Sequence, residues 1–299
     1  MRKEKPKGTF RDCKRSPKSQ SNSDFGSLPL PKKTGRLDEK AALIILLIWI
    51  LLAVCVPLFG PYSPTEQNAQ IRNQAMSFAH FFGTDEFGRD VFTRVWYGAG
   101  ISLVIGVGSA LINGLIGILY GAAAGYRGKR IDLIMMRAAD VIAAIPSILY
   151  VILITLVMGA GIRSMILGLC IAGWIDMARV VRGEMIRLKE TDFAAAAKMD
   201  GISGVRILLR HLLPNAVGVI VVNFLFLIPQ AIFTEAFLSF LGVGLSAPTA
   251  SLGTLIQEGR DRMILYPCEL LAPLIILCVL LVVFHTLAMA MERRGGQAD

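Results

Sequence analysis

Six long runs of apolar residues constrain the fold of this chain more than any other feature. A hydrocarbon core of about 30 Å is crossed by roughly 20 mostly apolar residues in a helix. Within lipid, only helices and closed barrels satisfy every backbone hydrogen bond. The runs therefore predict an all-α integral membrane protein with about six transmembrane helices. The predicted spans are Ala41–Gly60, Gly98–Gly125, Val141–Ala160, Ser164–Val181, Ala216–Glu235 and Leu270–Met291.

Composition and charge agree with this class. Of the 299 residues, 54% are hydrophobic and only 18% are charged, a balance that a soluble domain of this length rarely has. The formal net charge of +9 is concentrated in the first 40 residues and in the loops between spans. Such clusters orient a membrane protein and meet anionic lipid headgroups. No basic face is interleaved with aromatic residues, so we expect membrane lipid and no nucleic acid as a partner.

Basic residues fall in alternate loops. The loops Arg127–Asp140 and Arg182–His211 are rich in Lys and Arg, whereas Pro61–Tyr97 and Gly242–Glu269 are balanced or acidic. The positive-inside rule places the basic loops and both termini in the cytoplasm. The predicted parts are a basic, disordered tail (1–40), the first helix (41–60), an extracytoplasmic loop (61–97), a five-helix core (98–291) and a cytoplasmic C-terminus (292–299).

The second predicted span carries small residues at regular intervals. Small residues at such spacing let another helix backbone approach closely, which is the usual way in which helices pack in lipid. The neighbour is either a helix of this chain or a helix that lines a pathway or a partner interface. The predicted packing positions are Gly106, Gly114, Gly117, Gly121 and Gly125.

The segment ETDFAAAAKMDGISGVRILLRHLLPN, in the basic loop before the fifth span, predicts two short helices joined by a glycine. Thr191 or Asp192 can cap the first helix, whose alanine run has the highest helix propensity. Gly201 suits the left-handed position that ends it. Ser203 can cap the second helix, and Pro214 is expected to end that helix before the next span.

This segment resembles the cytoplasmic loop of binding-protein-dependent ABC importer permeases. The consensus of that loop is E-A-A, three residues, Gly, nine residues, then I-x-L-P. Ala195 stands where the family has Glu, and His211 stands where it has Ile. The residues that fit the consensus are Ala196, Ala197, Gly201, Leu213 and Pro214.

Other segments narrow the resemblance. GTDEFGRDVFTRVWYGAGISL, ARVVRGEM, RHLLPN and EAFLSFLGVG are similar to the C-type permease of oligopeptide, dipeptide and nickel importers. The similarity runs from about Ala41 to His285. It implies an ABC importer type I permease fold in the inner membrane of a bacterium. It also implies a B-type permease as heterodimer partner, two ATP-binding subunits and an extracytoplasmic substrate-binding protein.

The resemblance also implies that residues 182–214 form the loop on which the ATPase acts. Because Ala195 cannot form the charge pair that Glu would form, docking is expected to rest on shape, on Gly201 and on neighbours such as Lys198 and Asp200. The predicted coupling residues are Phe193, Ala195, Ala196, Ala197, Lys198, Asp200, Gly201, His211, Leu213 and Pro214.

Polar residues inside the spans are a further signal, because their burial in lipid is costly. Asn113, Asn223, Gln230 and His285 are candidates to line a polar route for a peptide backbone. Interhelical hydrogen bonds are the alternative role for them. Glu235 lies near the outer end of the fifth span, where water can reach it, and is a fifth candidate.

The chain has no phosphate-binding loop for ATP. The nearest approach, Gly128-Lys129-Arg130, lacks the upstream Gly and the Ser or Thr after Lys. We therefore expect no catalytic residues and no cofactor in this chain, with ATP and Mg²⁺ bound by separate ATPase subunits. The five cysteines show no C-x-x-C spacing, so we expect neither a metal site nor a disulfide framework.

The substrate implied by the resemblance is an oligopeptide or dipeptide. Nickel complexes, glutathione-like molecules and opines use similar permeases and are alternatives. From another class, an intramembrane serine protease would need a Ser–His dyad; Ser109 and His285 can be nominated, but Ser109 lacks the G-x-S-G context. A self-contained channel or secondary transporter would leave the ATPase-docking loop unexplained.

Overall fold

The computed structural model describes residues 39–295. Among these residues there is no β-strand, only an isolated bridge between Thr84 and Asp90, so the all-α prediction is confirmed. Most of the predicted tail, including Cys13, and residues 296–299 lie outside the described part. The helices are α1 (Glu39–Phe59), α2 (Val91–Arg127), α3 (Lys129–Ala143), α4 (Ser147–Met158), α5 (Ile162–Ala172), α6 (Trp174–Lys189), α7 (Asp192–Met199), α8 (Gly204–Ile207), α9 (Leu213–Asn215), α10 (Val217–Phe240), α11 (Leu252–Arg262) and α12 (Pro267–Gly295).

Five helical stretches of the described chain are long and apolar enough to cross a membrane. A sixth span is present if α3 and α4, which meet at an angle of 68°, are taken as one broken span. The six predicted spans thus correspond to five continuous helical stretches and one bent pair of helices. The five stretches are Glu39–Phe59, Val91–Arg127, Ile162–Lys189, Val217–Phe240 and Pro267–Arg294.

The third span differs from the prediction of one helix over Val141–Ala160. α3 begins as early as Lys129, and the chain leaves the helix at Ala144 before α4 begins at Ser147. Pro146 explains the break, because proline has no N–H to donate and disfavours helical backbone at the preceding residue. The predicted loop Arg127–Asp140 is therefore mostly helical.

The second helix begins at Val91, about two turns before Gly98, where the span was predicted to begin. Asp90 caps the helix: its carboxylate accepts a hydrogen bond from the backbone N–H of Thr93 at 2.8 Å. Because Arg94 lies in the first turn and is charged, this segment was assigned to the preceding loop. Its guanidinium is buried and pairs with Asp85 at 2.7 Å, and this pairing makes a charged residue compatible with the helix.

The remaining spans are longer than predicted. α5 and α6 form one stretch with a turn at Gly173, and it extends to Lys189 instead of ending at Val181. The fifth span extends to Phe240, and the sixth begins at Pro267. A count of apolar residues alone misses these extensions, because polar residues interrupt the apolar runs near the helix ends.

Three glycines of α2 allow α6 to pack directly against it. A Cβ atom added at Gly117, Gly121 or Gly125 would lie 2.7, 2.3 or 2.8 Å, respectively, from a carbonyl oxygen of α6. These distances are shorter than any van der Waals contact, so only glycine permits the observed approach. The predicted close helix contact is thus formed within this chain.

The other two predicted packing glycines meet a different helix. A Cβ at Gly106 would lie 2.3 Å from Cγ1 of Ile232, and a Cβ at Gly114 would lie 2.9 Å from Cδ2 of Phe224. Both neighbours are side chains of α10. Helix α2 therefore lies between α6 and α10, with glycines on both contacts.

The loops separate to opposite ends of the helices. Next to the start of α2, the segment 60–90 packs on α11, and the guanidinium of Arg262 donates a hydrogen bond to the side chain of Asn73. Next to the end of α2, the Lys189 ammonium donates to the carbonyl of Tyr126 at 2.9 Å. The two loops predicted to be outside thus meet each other, and the segment after α6 lies at the other end.

Candidate functional site

The segment 192–215, called the coupling segment below, begins with the short helix α7. Its end carries the long bond of a Schellman arrangement: Ile202 N–H donates to the carbonyl of Ala197 at 3.3 Å, beyond the last regular helical bond from Asp200 N–H to the carbonyl of Ala196 at 3.0 Å. Gly201 has φ of +74°, which confirms the predicted left-handed conformation. The chain therefore reverses at a defined point.

Contacts with the spans hold the coupling segment in place. Ala194 and Ala197 are buried. Gly204 packs on the side chain of Tyr126 at the end of α2, where an added Cβ would lie 2.4 Å from the hydroxyl oxygen. The hydroxyl of Thr191, one of the two predicted caps, donates to the carbonyl of Leu188 at the end of α6 at 2.6 Å. The segment is thus joined to two spans.

The other face of the coupling segment is exposed and largely apolar. Met199 is 87% exposed and Phe193 is 40% exposed; Ala195, Ala196, Asp200 and Gly201 are exposed as well. Exposed apolar residues grouped at the end of a helical bundle mark an interaction surface. The large apolar residues of this surface are Phe193, Met199, Val205 and Leu209.

The second half of the segment corrects two predictions. Pro214 does not end the helix: Leu213 N–H donates to the carbonyl of Leu208 in a π-helical turn, and Ala216 N–H continues to that of Leu212 at 3.0 Å. The wider turn accommodates the proline, which has no N–H to donate. Ser203 precedes α8 but its side chain makes no capping bond.

Four of the predicted coupling positions vary in burial. His211 and Leu213 are partly buried, Pro214 is exposed and Ala197 is buried. Lys198 lies in α7. The structure thus exposes most of the first half of the predicted set, with Ala197 buried, and distributes the second half along the helical path into α10.

A second site is a cavity of about 110 Å³ between α2, α4, α5, α6 and α10, called the central cavity below. Asp176 and Gln230, which line it, lie near the middle of their helical stretches, so the cavity is far from both ends of the bundle. Ser147, the first residue after the non-helical turn that precedes α4, also lines it. The polar side chains that line it are Asn113, Ser147, Asp176, Gln230 and Thr234.

Asn113 is the most deeply placed polar residue of the central cavity. It is 5% exposed, and its amide oxygen Oδ1 has no hydrogen-bond partner within residues 39–295. Its amide nitrogen Nδ2 is 3.5 Å from the carbonyl of Leu169. A Cβ at Gly173 would lie 2.5 Å from Nδ2, so the glycine makes room for the amide.

A charged triad adjoins the central cavity. Arg179 donates to Asp140 at 3.0 Å and to Asp176 at 3.3 Å. The side chains are 46% (Arg179), 49% (Asp140) and 69% (Asp176) exposed. Charges at this depth of a membrane helix face water or protein, not lipid. The triad therefore marks the side of the chain that is turned away from lipid.

Three of the five predicted pathway residues do not reach the central cavity. The Asn223 amide donates to the carbonyl of Val219 in its own helix at 2.8 Å. His285 is exposed on α12, with its ring 5.4 Å from that of Phe226. Only Asn113 and Gln230 of the predicted set line one space, because a polar residue in a helix can face any direction.

Glu235 corrects the expectation that water reaches it. It is fully buried, and its carboxylate accepts hydrogen bonds from Ser102 at 2.9 Å and from Ser239 at 2.8 Å. Ser102 in turn accepts from the backbone N–H of Leu252 at 3.2 Å. This network joins α2, α10 and α11, so Glu235 has an interhelical role that was not predicted for it.

A charged cluster at the start of α2 was not predicted. The carboxylate of Asp85 pairs with Arg89 at 2.6 Å and with Arg94 at 2.7 Å. Arg94 also pairs with Glu258 of α11 at 3.1 Å. These contacts attach the 60–90 loop to α11. The alternating signs in TDEFGRDVFTR were the available signal.

Neither a metal site nor a serine dyad is formed in the described part. Within residues 39–295, no three His, Cys, Asp or Glu side chains are grouped for a metal ion. The Ser109 hydroxyl is buried and has no hydrogen-bond partner there, so it does not pair with His285. The arrangement offers a docking surface and a polar cavity instead of a reacting nucleophile.

Comparison with known proteins identifies the family. Residues 117–295 match the family described as "Binding-protein-dependent transport system inner membrane component", which is more than half of the chain. The chain belongs to this family. As a family member it is a permease subunit of a transport system, and the matched residues include the whole coupling segment and every lining residue of the central cavity except Asn113.

Individual relatives agree with this assignment. The chain is 43% identical over 243 residues to the oligopeptide transport system permease protein OppC of Bacillus subtilis, covering 81% of this chain and 80% of the relative. It is 46% identical over 224 residues to the dipeptide transport system permease protein DppC of the same species, covering 75% and 70%. With OppC of Escherichia coli the identity is 37% over 247 residues, covering 82% of each.

Proposed function

We propose that this family member is the C-type permease subunit of an ATP-driven ABC importer and that it moves oligopeptides or dipeptides into the cell. The observation that carries the proposal is the coupling segment, a rigid helix and glycine reversal with an exposed apolar face. The peptide substrate is supported by the printed names of the relatives, which are oligopeptide and dipeptide permeases.

The energy comes from separate subunits that bind ATP and Mg²⁺. When these subunits close on ATP, they pull on the coupling segment, which is fixed to α2 through Tyr126 and to α6 through Leu188. The spans then exchange an inward-open packing for an outward-open one, as in other rigid-body switches. The coupling segment can transmit this movement to the spans because it contacts two of them.

The complex contains a B-type permease, two ATP-binding subunits and an extracytoplasmic substrate-binding protein. It lies in the bacterial inner membrane, with both termini of this chain in the cytoplasm. The binding protein delivers peptide to the face formed by the 60–90 loop and α11. The B-type permease covers the side that carries the charged triad, because Asp140, Asp176 and Arg179 cannot face lipid.

Gly201→Val tests the coupling role. Nothing lies within 4 Å of an added Cβ at this position, so the effect comes from backbone strain alone: a β-branched residue resists φ of +74°. We expect peptide-stimulated ATP hydrolysis and uptake by the reconstituted complex to fall together by about tenfold, because a strain of 1–2 kcal/mol displaces the reversal.

Gly201→Asn is the matched control, since asparagine tolerates left-handed backbone. It is expected to retain stimulated hydrolysis and uptake near the wild-type rates, and both variants are expected to insert and to leave peptide binding by the binding protein unchanged. Full stimulation and uptake in the Gly201→Val complex would show that this segment is ordinary connecting structure.

Thiol labelling tests the orientation. Variants that retain only Cys13 or only Cys268 are exposed in intact cells to a thiol reagent that does not cross the inner membrane. Cys268, which is partly exposed beside Met76, is expected to react, whereas Cys13 is expected to react only after permeabilisation. Reaction of Cys13 in intact cells contradicts the proposed orientation.

A further inference from the structure

The central cavity has an unbalanced charge. Among its lining residues within the described chain, Asp176 is the one charged side chain. Within residues 39–295 the one cation paired with it, Arg179, is shared with Asp140. Two carboxylates and one guanidinium leave a net charge of −1 beside the cavity. A positive group in the cavity is therefore attracted, and a carboxylate is repelled.

The cavity also holds a hydrogen-bond acceptor without a donor. The Asn113 Oδ1 atom is buried and unpartnered within residues 39–295, and such a group costs about 1–3 kcal/mol. Gly173 packs against the other end of the amide and keeps it in this position. A ligand that brings an N–H group to Oδ1 removes this cost.

The remaining lining adds a further acceptor. The hydroxyl of Thr234 donates to the carbonyl of Gln230 in its own helix at 2.8 Å, so its oxygen is left as an acceptor. The break at 144–146 places non-helical backbone beside the cavity, and backbone of this kind at membrane depth is found where it lines water or protein. Asn113 and Thr234 thus each offer the cavity an acceptor oxygen.

We propose that the central cavity is a binding station for N–H donors and positive charge, which holds a translocating peptide through its backbone amides at Asn113 and its cationic groups at Asp176. The ligand class is a peptide in its ammonium form or with a basic side chain. This inference rests on the proposed function and adds that the permease itself, and not only its binding protein, discriminates between peptides by charge.

The experiment measures uptake into proteoliposomes at saturating concentrations of loaded binding protein, so that differences in peptide capture do not enter. The probes are Ala-Lys-Ala, Ala-Gln-Ala and Ala-Glu-Ala. The wild-type complex is expected to move the lysine peptide fastest and the glutamate peptide slowest. Asp176→Asn is expected to reduce the Lys-to-Glu rate ratio by about two- to fivefold, as for an exposed ion pair.

Glu292→Gln is the matched control, because it removes one exposed carboxylate at the end of α12 and leaves the central cavity and the outer loops unchanged. It is expected to keep the wild-type ratio. If Asp176→Asn also keeps that ratio while uptake continues, the charge inference is wrong and the proposed function stands. If the wild-type complex moves none of the three peptides on addition of ATP, the proposed function fails first.

Asn113 is tested with two substitutions of similar size. Asn113→Asp retains an acceptor oxygen and is expected to keep at least half of the wild-type rate for the lysine peptide. Asn113→Leu removes the acceptor and is expected to slow all three peptides about fivefold, because all three share the same backbone N–H groups. Equal rates, or equal losses, in the Leu and Asp variants contradict the role of Oδ1.

Discussion

Gly121→Leu is expected to prevent the assembly of this permease, with less than a tenth of the wild-type yield of folded protein after purification in detergent. An added Cβ would lie 2.3 Å from the carbonyl oxygen of Ala178, and backbone cannot move aside as a side chain can. The α2–α6 contact must open along its length, at a cost of at least about 3 kcal/mol. Yield and size-exclusion profile measure the effect.

Gly183→Leu is the control for this prediction. Gly183 lies in α6 like the residues that α2 contacts, but nothing lies within 4 Å of an added Cβ there. It is expected to give near wild-type yield, which separates the effect of the clash from that of a bulky residue in a membrane helix. Normal assembly of the Gly121→Leu protein would mean that α2 and α6 do not pack as described.

Glu235→Ala is expected to lower the midpoint of thermal unfolding of the purified protein by about 10 °C. The substitution leaves a cavity at a fully buried position and removes the acceptor for the hydroxyls of Ser102 and Ser239. The cavity contributes about 2 kcal/mol and the lost interhelical bonds about 1 kcal/mol. About 3 kcal/mol corresponds to this shift.

Glu235→Gln separates the two contributions. It fills the same volume and retains one acceptor oxygen, so its midpoint is expected to fall by only about a third as much. Asn223→Ala on the same helix is a further control, because the Asn223 amide bonds only to the carbonyl of Val219 in its own helix. A midpoint for Glu235→Ala equal to that for Asn223→Ala would show that the buried network does not support the fold.

The chain's local features were sufficient for some of these conclusions. The coupling segment was predicted correctly in its first half, because an alanine run followed by Gly201 acts through backbone preferences within a few residues. In the second half, the predicted helix end at Pro214 was wrong, because a π-helical turn accommodates the proline. Whether Ala195 alters docking on the ATPase stays a prediction.

The sequence by itself determined the fold class, the number of apolar stretches and the close approach along α2, since these follow from the length, periodicity and size of neighbouring residues. Only the tertiary structure decided which polar residues share a space. Asn113, Asp176 and Gln230 come from three helices far apart in the chain, and the direction of each depends on how those helices rotate when they pack. Glu235 is the opposite case: it was a candidate to line the pathway, and helix packing buries it in a hydrogen bond between α2 and α10.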